Sequence, residues 1–245
     1  SSDLGFIQCK YPDVPLPPNY SFSSMLTIDP GQIATKDLHQ FILGAVAPRP
    51  IAFASTISTD GIPNLAPYSF FNAVSDRPPM LVFSSGGTKD SLRNILDTGE
   101  FTCSIATWAL RDQMNLSSAV VAASVDEFAL AGLTKAASRF VKPPRVAESP
   151  AAFECKLWQT LPLPAPPRGE PFTLVVGTVV GVYIDDALIR DGLVQSGEMR
   201  ALARLGYMDY SVLSPESMFT MNRPLASEDG LRAEVAPGPW DGVYR

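Results

Sequence analysis

The chain predicts a mainly β protein, a barrel of antiparallel strands with a few helical excursions, and three observations carry that expectation. First, 23 of the 245 residues are proline, close to twice the usual ~5%. Proline removes a backbone donor and fixes φ, which suits short strands and ordered loops and opposes a helical bundle. Second, 46% of residues are hydrophobic and 18% charged, enough apolar material for a packed core and too much for a disordered chain. Third, strand and helix patterns do not alternate strictly along the chain, which favours a barrel over a doubly wound parallel sheet.

Residues 1–24 contain Tyr11-Pro-Asp-Val-Pro-Leu-Pro-Pro18 and read as an extended N-terminal arm. A single domain is expected over 25–223, with a C-terminal tail over 224–245. Within the domain a short helix is expected over 35–43, stopped by Pro48 and Pro50. A strand over 51–58, the turn signal Thr59-Asp-Gly61 and a returning strand over 64–74 make a hairpin. A buried strand over 80–83 leads to a helix over 89–97, capped by Thr88 and stopped by Gly99. Further strands are expected over 101–106, 153–160 and 172–184, with helical turns over 108–116 and 126–130. Residues 161–171 hold five prolines in eleven positions and form a loop. Residues 204–210 and 217–221 supply the last short strands.

Charge and rare residues exclude several function classes. Nineteen basic against 25 acidic residues give a formal charge of −6, so an anionic ligand needs a local site and a broad nucleic-acid surface is not expected. The one histidine, His39, would be the only base available to a Ser-His-Asp triad, and no metal site is expected from so few histidines and no paired cysteines. His39 reads as a solvated helix residue. Cys103 and Cys155 alternate with apolar residues (Phe101, Ile105; Phe153, Leu157) and read as core thiols in a reducing compartment. The N-terminal residues lack a signal-peptide pattern, and the longest nearly apolar stretch, 174–184, is about half a membrane span. No membrane association is expected, and a cytoplasmic location.

Two segments are candidates for chemistry. Ser84-Ser-Gly-Gly-Thr-Lys-Asp-Ser91 lies between a strand and a helix, where backbone amides, hydroxyls and a lysine suit a phosphate; an ordinary capped helix is the other reading. It is not a Walker A loop, and no GxGxxG occurs. Tyr68-Ser-Phe-Phe-Asn72 is an aromatic stripe with polar members. If the strand alternates throughout, Tyr68, Phe70 and Asn72 share one face. Such stripes are usually core, but asparagine and hydroxyls among them need partners, which a flat heteroaromatic ligand would supply.

Arg49-Pro-Ile-Ala52, Ser55-Thr-Ile-Ser58, Asp60-Gly61, Asn64-Leu-Ala-Pro-Tyr-Ser-Phe-Phe-Asn-Ala-Val74, Lys89-Asp-Ser-Leu-Arg-Asn-Ile95 and Thr98-Gly-Glu-Phe101 occur in this order. Val125-Asp-Glu-Phe128, Ala131-Gly-Leu-Thr134, Pro144-Arg-Val-Ala-Glu-Ser-Pro150 and Phe153-Glu-Cys155 follow them. From about residue 45 to 223 the set resembles the flavin reductase-like, FMN-binding split-barrel proteins. The resemblance implies a six-stranded split β-barrel, Greek-key and antiparallel, with added helices, working as a homodimer with FMN near the subunit interface. It places Ser55, Thr56, Ser84, Lys89, Asp90 and Ser91 around the phosphate and ribityl chain, and Tyr68, Ser69, Phe70, Phe71 and Asn72 beside the ring. It sets Arg49 at the cofactor's polar edge and brings Arg204, in Ala203-Arg-Leu-Gly206, toward the flavin.

The implied activity is that of an FMN-binding oxidoreductase passing electrons from NADH or NADPH through FMN to flavin, a protein partner, oxygen or a small-molecule substrate. No catalytic side chain is assigned, since the flavin carries the chemistry. The alternative is an FMN-binding electron carrier without NAD(P)H turnover of its own. The proline-rich loop and both terminal arms depart from the family pattern. The loop is where the substrate side would be reshaped, and the arms are where a partner subunit would be wrapped.

Overall fold

A computed structural model describes residues 26–166, 169–235 and 240; the arm expected over 1–24 lies outside the described residues, as does most of the tail beyond 235. The chain forms two compact units, residues 1–39 and 40–245. Among the described residues of the first is a 3-10 turn, Pro30–Gln32, whose start is capped by the Asp29 carboxylate accepting from the Gly31 amide at 2.9 Å. Helix α1 (Thr35–Ala45) follows, and His39 is exposed on it. No helix among the described residues is long and apolar enough to cross a membrane.

The second unit is built on a seven-stranded antiparallel sheet. Its members are β2 (Ala52–Ile57), β3 (Pro63–Tyr68), β4 (Phe71–Asp76), β5 (Pro79–Gly86), β6 (Glu100–Ile105), β9 (Ala151–Pro162) and β10 (Phe172–Ile184), in the order β3-β2-β6-β9-β10-β5-β4. Small pieces surround it. β1 (Arg49–Pro50) pairs with β13 (Leu202–Arg204), which pairs with β14 (Tyr210–Val212). Three two-stranded ribbons join β7 (Lys135–Ala136) to β8 (Arg145–Val146), β11 (Ile189–Arg190) to β12 (Leu193–Val194), and β15 (Pro224–Ala226) to β16 (Ala233–Val235). The helices are α2 (Asp90–Thr98), α3 (Arg111–Leu116), α4 (Glu127–Ala131) and α5 (Ser196–Met199). The architecture is the mainly β, antiparallel split barrel with added helices that the sequence led us to expect.

Several expectations need correction. The strand expected over 64–74 is two strands. Tyr68 and Phe71 both enter the same core cluster, which strict alternation forbids for residues three apart, so the chain turns a corner at Ser69–Phe70. Beyond the corner, β4 pairs with β5 rather than continuing beside β2. The two edges of the sheet, β3 and β4, are thus consecutive in sequence, and the sheet has seven strands where six were implied. Residues 217–221 form no strand: a 3-10 turn, Pro215–Ser217, ends where the strand was expected to begin, and 218–221 have no regular structure; the last strands of this region are the β13–β14 hairpin. Thr88 is not the cap of α2; Lys89 holds that position, with no side-chain cap.

β2 explains why Ile51-Ala-Phe-Ala-Ser-Thr carries no polar-apolar alternation: both faces are covered. Ala52 and Ala54 join a core with Tyr68, Phe83, Phe101, Cys103, Cys155 and helix residues Leu92 and Ile95. Ile51 and Phe53 join a second with Leu65, Leu110, Met114 and Phe128. β10 is bulged after Val176 and Val179, and Gly177 there is required by close approach, since a Cβ would fall 2.4 Å from the Phe101 ring. Each fully buried aromatic of this kind stabilises the fold by roughly 2 kcal/mol or more.

One buried charge ties strand to loop. Glu154 on β9 is fully buried and accepts the amides of Arg139 at 2.7 Å and Phe140 at 2.5 Å. Burial pushes its pKa up, but hydrogen bonding from Tyr183 and these amides outweighs it, leaving the carboxyl below its ordinary value. A depressed folded pKa stabilises above the unfolded value and loses that contribution as pH falls through the folded one. Glu154→Gln should therefore lower urea-unfolding stability by about 2 kcal/mol at neutral pH, with the gap to the parent closing as pH falls below about 4.

The thiols make a second prediction. Cys103 and Cys155 are free and buried on adjacent strands. Burial pushes Cys155 up to about 12, and Cys103 well above its ordinary value. Alkylation needs thiolate, so in native protein at about pH 8 both should resist iodoacetamide, and both should label in denaturant, as read by peptide mass mapping.

Candidate functional site

The corner at Ser69–Phe70, the end of β5 and the start of α2 enclose the cleft, of about 940 Å³, within the range of small-molecule and cofactor sites. Its floor is one face of β3. Asn64, Ala66 and Tyr68, two apart and therefore on the same side, all line it. Phe70 stands at the rim, 37% exposed, with its ring centroid 6.0 Å from that of Phe172 at the start of β10. The opposite wall is residues 117–121 together with Glu127 of α4.

The floor is held by a buried polar network. Asn64 Oδ1 accepts from Ser91 Oγ at 2.7 Å and from Thr56 Oγ1 at 3.3 Å. Asn94 Nδ2 donates to Thr56 Oγ1 at 3.0 Å. On the other side Asn64 Nδ2 donates to Glu127 Oε1 at 3.0 Å, and Glu127 Oε2 accepts the Leu65 amide at 3.0 Å. One polar atom is left over. The Tyr68 hydroxyl is buried without a hydrogen-bond partner, in a residue 9% exposed that lines the cleft. Burial pushes its pKa up, against a smaller downward pull from the nearby Ser91 and Ser85 hydroxyls.

The bend at 86–89 faces the same cleft. Gly87 has φ +77°, and α2 starts after Lys89 with no side chain capping its first turn. Its leading amides are therefore available to an acceptor, and the helix dipole adds positive potential there. Lys89 is the only cation among the cleft's described lining residues. The Thr88 amide is already engaged: it donates to Glu170 Oε2 at 2.6 Å.

Of the residues expected in the site, the cleft brings together Tyr68, Ser69, Phe70, Ser84, Lys89, Asp90 and Ser91. Thr56 sits one hydrogen bond behind it. Ser55 does not face it: Ser55 pairs with Leu65, on the β2 face of the second core, and its buried hydroxyl has no partner. Phe71 packs in the core. Asn72 lies exposed beyond the corner, its Oδ1 accepting the Ala73 amide at 2.9 Å. The shared face expected for Tyr68, Phe70 and Asn72 is lost at the same corner.

Arg49 and Arg204 face each other across the β1–β13 pair, and neither lines the cleft. Arg49 is a tether. It donates to the carbonyls of Leu43 at 2.8 Å and Leu205 at 2.7 Å and also to that of Val46, and burial followed by Arg204's charge lowers its pKa. Arg204 donates to the Tyr207 carbonyl at 2.6 Å and to the Tyr210 hydroxyl, with its guanidinium 4.5 Å from the Tyr210 ring centroid. Asn64, Glu127, Glu170 and Phe172 are cleft residues that the expected set omits. Asn64 and Glu127 stood within quoted motifs, but only the fold brings α4 against β3. Glu170 comes from a loop whose path local signals do not give, and Phe172 opens β10, whose pairing beside β5 brings its ring to the cleft.

Residues 44–203 match the model of the flavin reductase like domain. An uncharacterized protein of Aquifex aeolicus is 37% identical over 175 residues, 69% of this chain and 86% of that protein. The structure is similar to nitrilotriacetate monooxygenase component B from Bacillus cereus, at 30% identity and a TM-score of 0.76, covering 81% of this chain and 99% of that one. It is similar also to 2-nitrobenzoate 2-nitroreductase NbaA of Pseudomonas fluorescens, at 26% identity and a TM-score of 0.72, covering 83% and 100%. With its antiparallel split barrel and a domain match over most of its length, the chain belongs to the flavin reductase-like family.

Proposed function

We propose that the cleft binds FMN and that the protein is an NAD(P)H-dependent flavin oxidoreductase. The observation that carries this reading is the convergence of two unmet polar features on one cleft: the uncapped first turn of α2 beside Lys89, and the partnerless Tyr68 hydroxyl. The first suits a phosphate. The second, on a floor flanked by the Phe70 and Phe172 rings, suits the polar edge of a flat heteroaromatic body.

FMN, when bound, supplies two-electron redox chemistry that no side chain here provides. The protein's part is to hold it. Lys89 and Ser84 stand where the phosphate and ribityl chain would lie, and Ser91 fixes Asn64 behind them. Phe70 and Phe172 would pack against a bound flavin, and the open mouth of the cleft would admit a nicotinamide. That one relative is a monooxygenase component and another a nitroreductase supports passing the electrons on, to free flavin, a partner protein or a small organic substrate. A homodimer is part of the reading: outward side chains such as Trp158, 63% exposed, and Val182, 56% exposed, leave apolar surface for a second subunit.

Titration of apoprotein with FMN should produce bound-flavin absorption, and a chain that stays colourless overturns the reading. Lys89→Ala should weaken FMN binding about tenfold, as expected for one charge-assisted phosphate contact, and leave riboflavin binding unchanged. Stopped-flow mixing of the loaded protein with NADH or NADPH should bleach the flavin rapidly. Colour that persists until a separate reductase is added would make it a carrier instead.

A further inference from the structure

Resting on the flavin reading of the cleft, we propose that Glu170 is a specificity-determining residue. Its carboxylate occupies the position of a terminal phosphate on the Thr88 amide, and so narrows the preference for phosphorylated over unphosphorylated flavin. The contact joins residues 82 apart in sequence, at 2.6 Å between Thr88 N and Glu170 Oε2, the length of a charge-assisted bond. Glu170 lies directly over the bend: a Cβ added to Gly87 would fall 2.7 Å from Oε2. The next residue holds the loop in place, the Gly87 amide donating to the Pro171 carbonyl at 3.2 Å.

The other two carboxylates of the cleft are differently committed. Asp90 is ion-paired with Arg93, and Glu127 is bound to Asn64 and the Leu65 amide. Glu170 forms no ion pair among the described residues, and its side chain stands exposed at the bend. A phosphate and a carboxylate cannot share one amide at contact distance without strong like-charge repulsion. A ligand whose phosphate takes the Thr88 amide as well as the first turn of α2 must therefore displace Glu170, whereas a ligand ending in a hydroxyl need not.

The test compares FMN and riboflavin binding to the full-length apoprotein by flavin fluorescence quenching, in the parent, Glu170→Gln and Glu170→Ala. The ratio of riboflavin Kd to FMN Kd should rise about tenfold in Glu170→Ala. It should rise by a smaller factor in Glu170→Gln, whose amide oxygen still accepts from Thr88 but carries no charge. Riboflavin binding itself should stay within about twofold of the parent. An unchanged or lower ratio overturns the proposal while leaving the flavin reading intact. Absence of binding of either flavin to the parent overturns the flavin reading itself. Should Glu170→Ala fail to fold, the Gln variant decides by the same ratio.

Discussion

The side-chain amide of Asn64 is the constraint on which the cleft depends. It uses both ends, accepting from Thr56 and Ser91 and donating to Glu127, and so joins β2, β3, α2 and α4 at one point. The β2–β3 hairpin and two helices later in the chain are thereby held by groups that are all buried. In such a setting an unmade hydrogen bond costs about 1–3 kcal/mol, so the network resists any shift of α2 against the sheet. That rigidity has a functional meaning. The first turn of α2 and the floor of β3 keep a fixed spacing, as a site must if it is to read both ends of one ligand.

The corner at Ser69–Phe70 does complementary work. The sheet's two edge strands are successive in the chain, and the corner carries the backbone from one edge to the other, with the Phe70 carbonyl accepting the Ser84 amide at 2.9 Å. Because the corner breaks the alternation, Tyr68 and Phe71 turn inward while Phe70 turns out to the cleft rim. The same break that brings the barrel's edges together therefore supplies the aromatic rim of the cleft. Arg49 plays a comparable part elsewhere, binding three carbonyls near the end of α1 and beyond β13, a use of arginine as a multi-donor clamp rather than as a ligand for an external charge.

How legible was this in the sequence? Strands with strong β-branched or fully apolar runs, such as β2 and β10, and the helix ended by Gly99 stand close to where local pattern puts them. The bend at 84–91 could be found because strand, glycines and helix start are contiguous. What local pattern could not give was relative placement. Ser55 and Thr56 are neighbours with the same chemistry, yet β2 is buried on both sides, so only the structure separates the one facing the second core from the one behind the cleft. The family resemblance sets Arg49 at the cofactor's polar edge by its position alone. Its carbonyl partners at 43, 46 and 205 are set by the packing of β1 against β13, invisible in any window of sequence. The Tyr68–Asn72 stripe misled for a single reason: alternation assumes an unbroken strand.

Net charge frames the last step. A chain of formal charge −6 attracts no anion by its overall field, so any anionic group it binds must be held by short-range donors in a small volume. The cleft provides them at the uncapped turn of α2 and at Lys89, yet it also carries three carboxylates among its lining residues. Two of these are absorbed into structure, one by Arg93 and one by the Asn64 network. The third enters from the proline-rich loop, a segment whose high proline content lowers the entropy lost in holding it in place. A loop so constrained can keep Glu170 against the bend at modest cost. Under the proposed flavin reading, anion binding in this cleft would be a balance between fixed backbone donors and a carboxylate supplied by the protein's own chain.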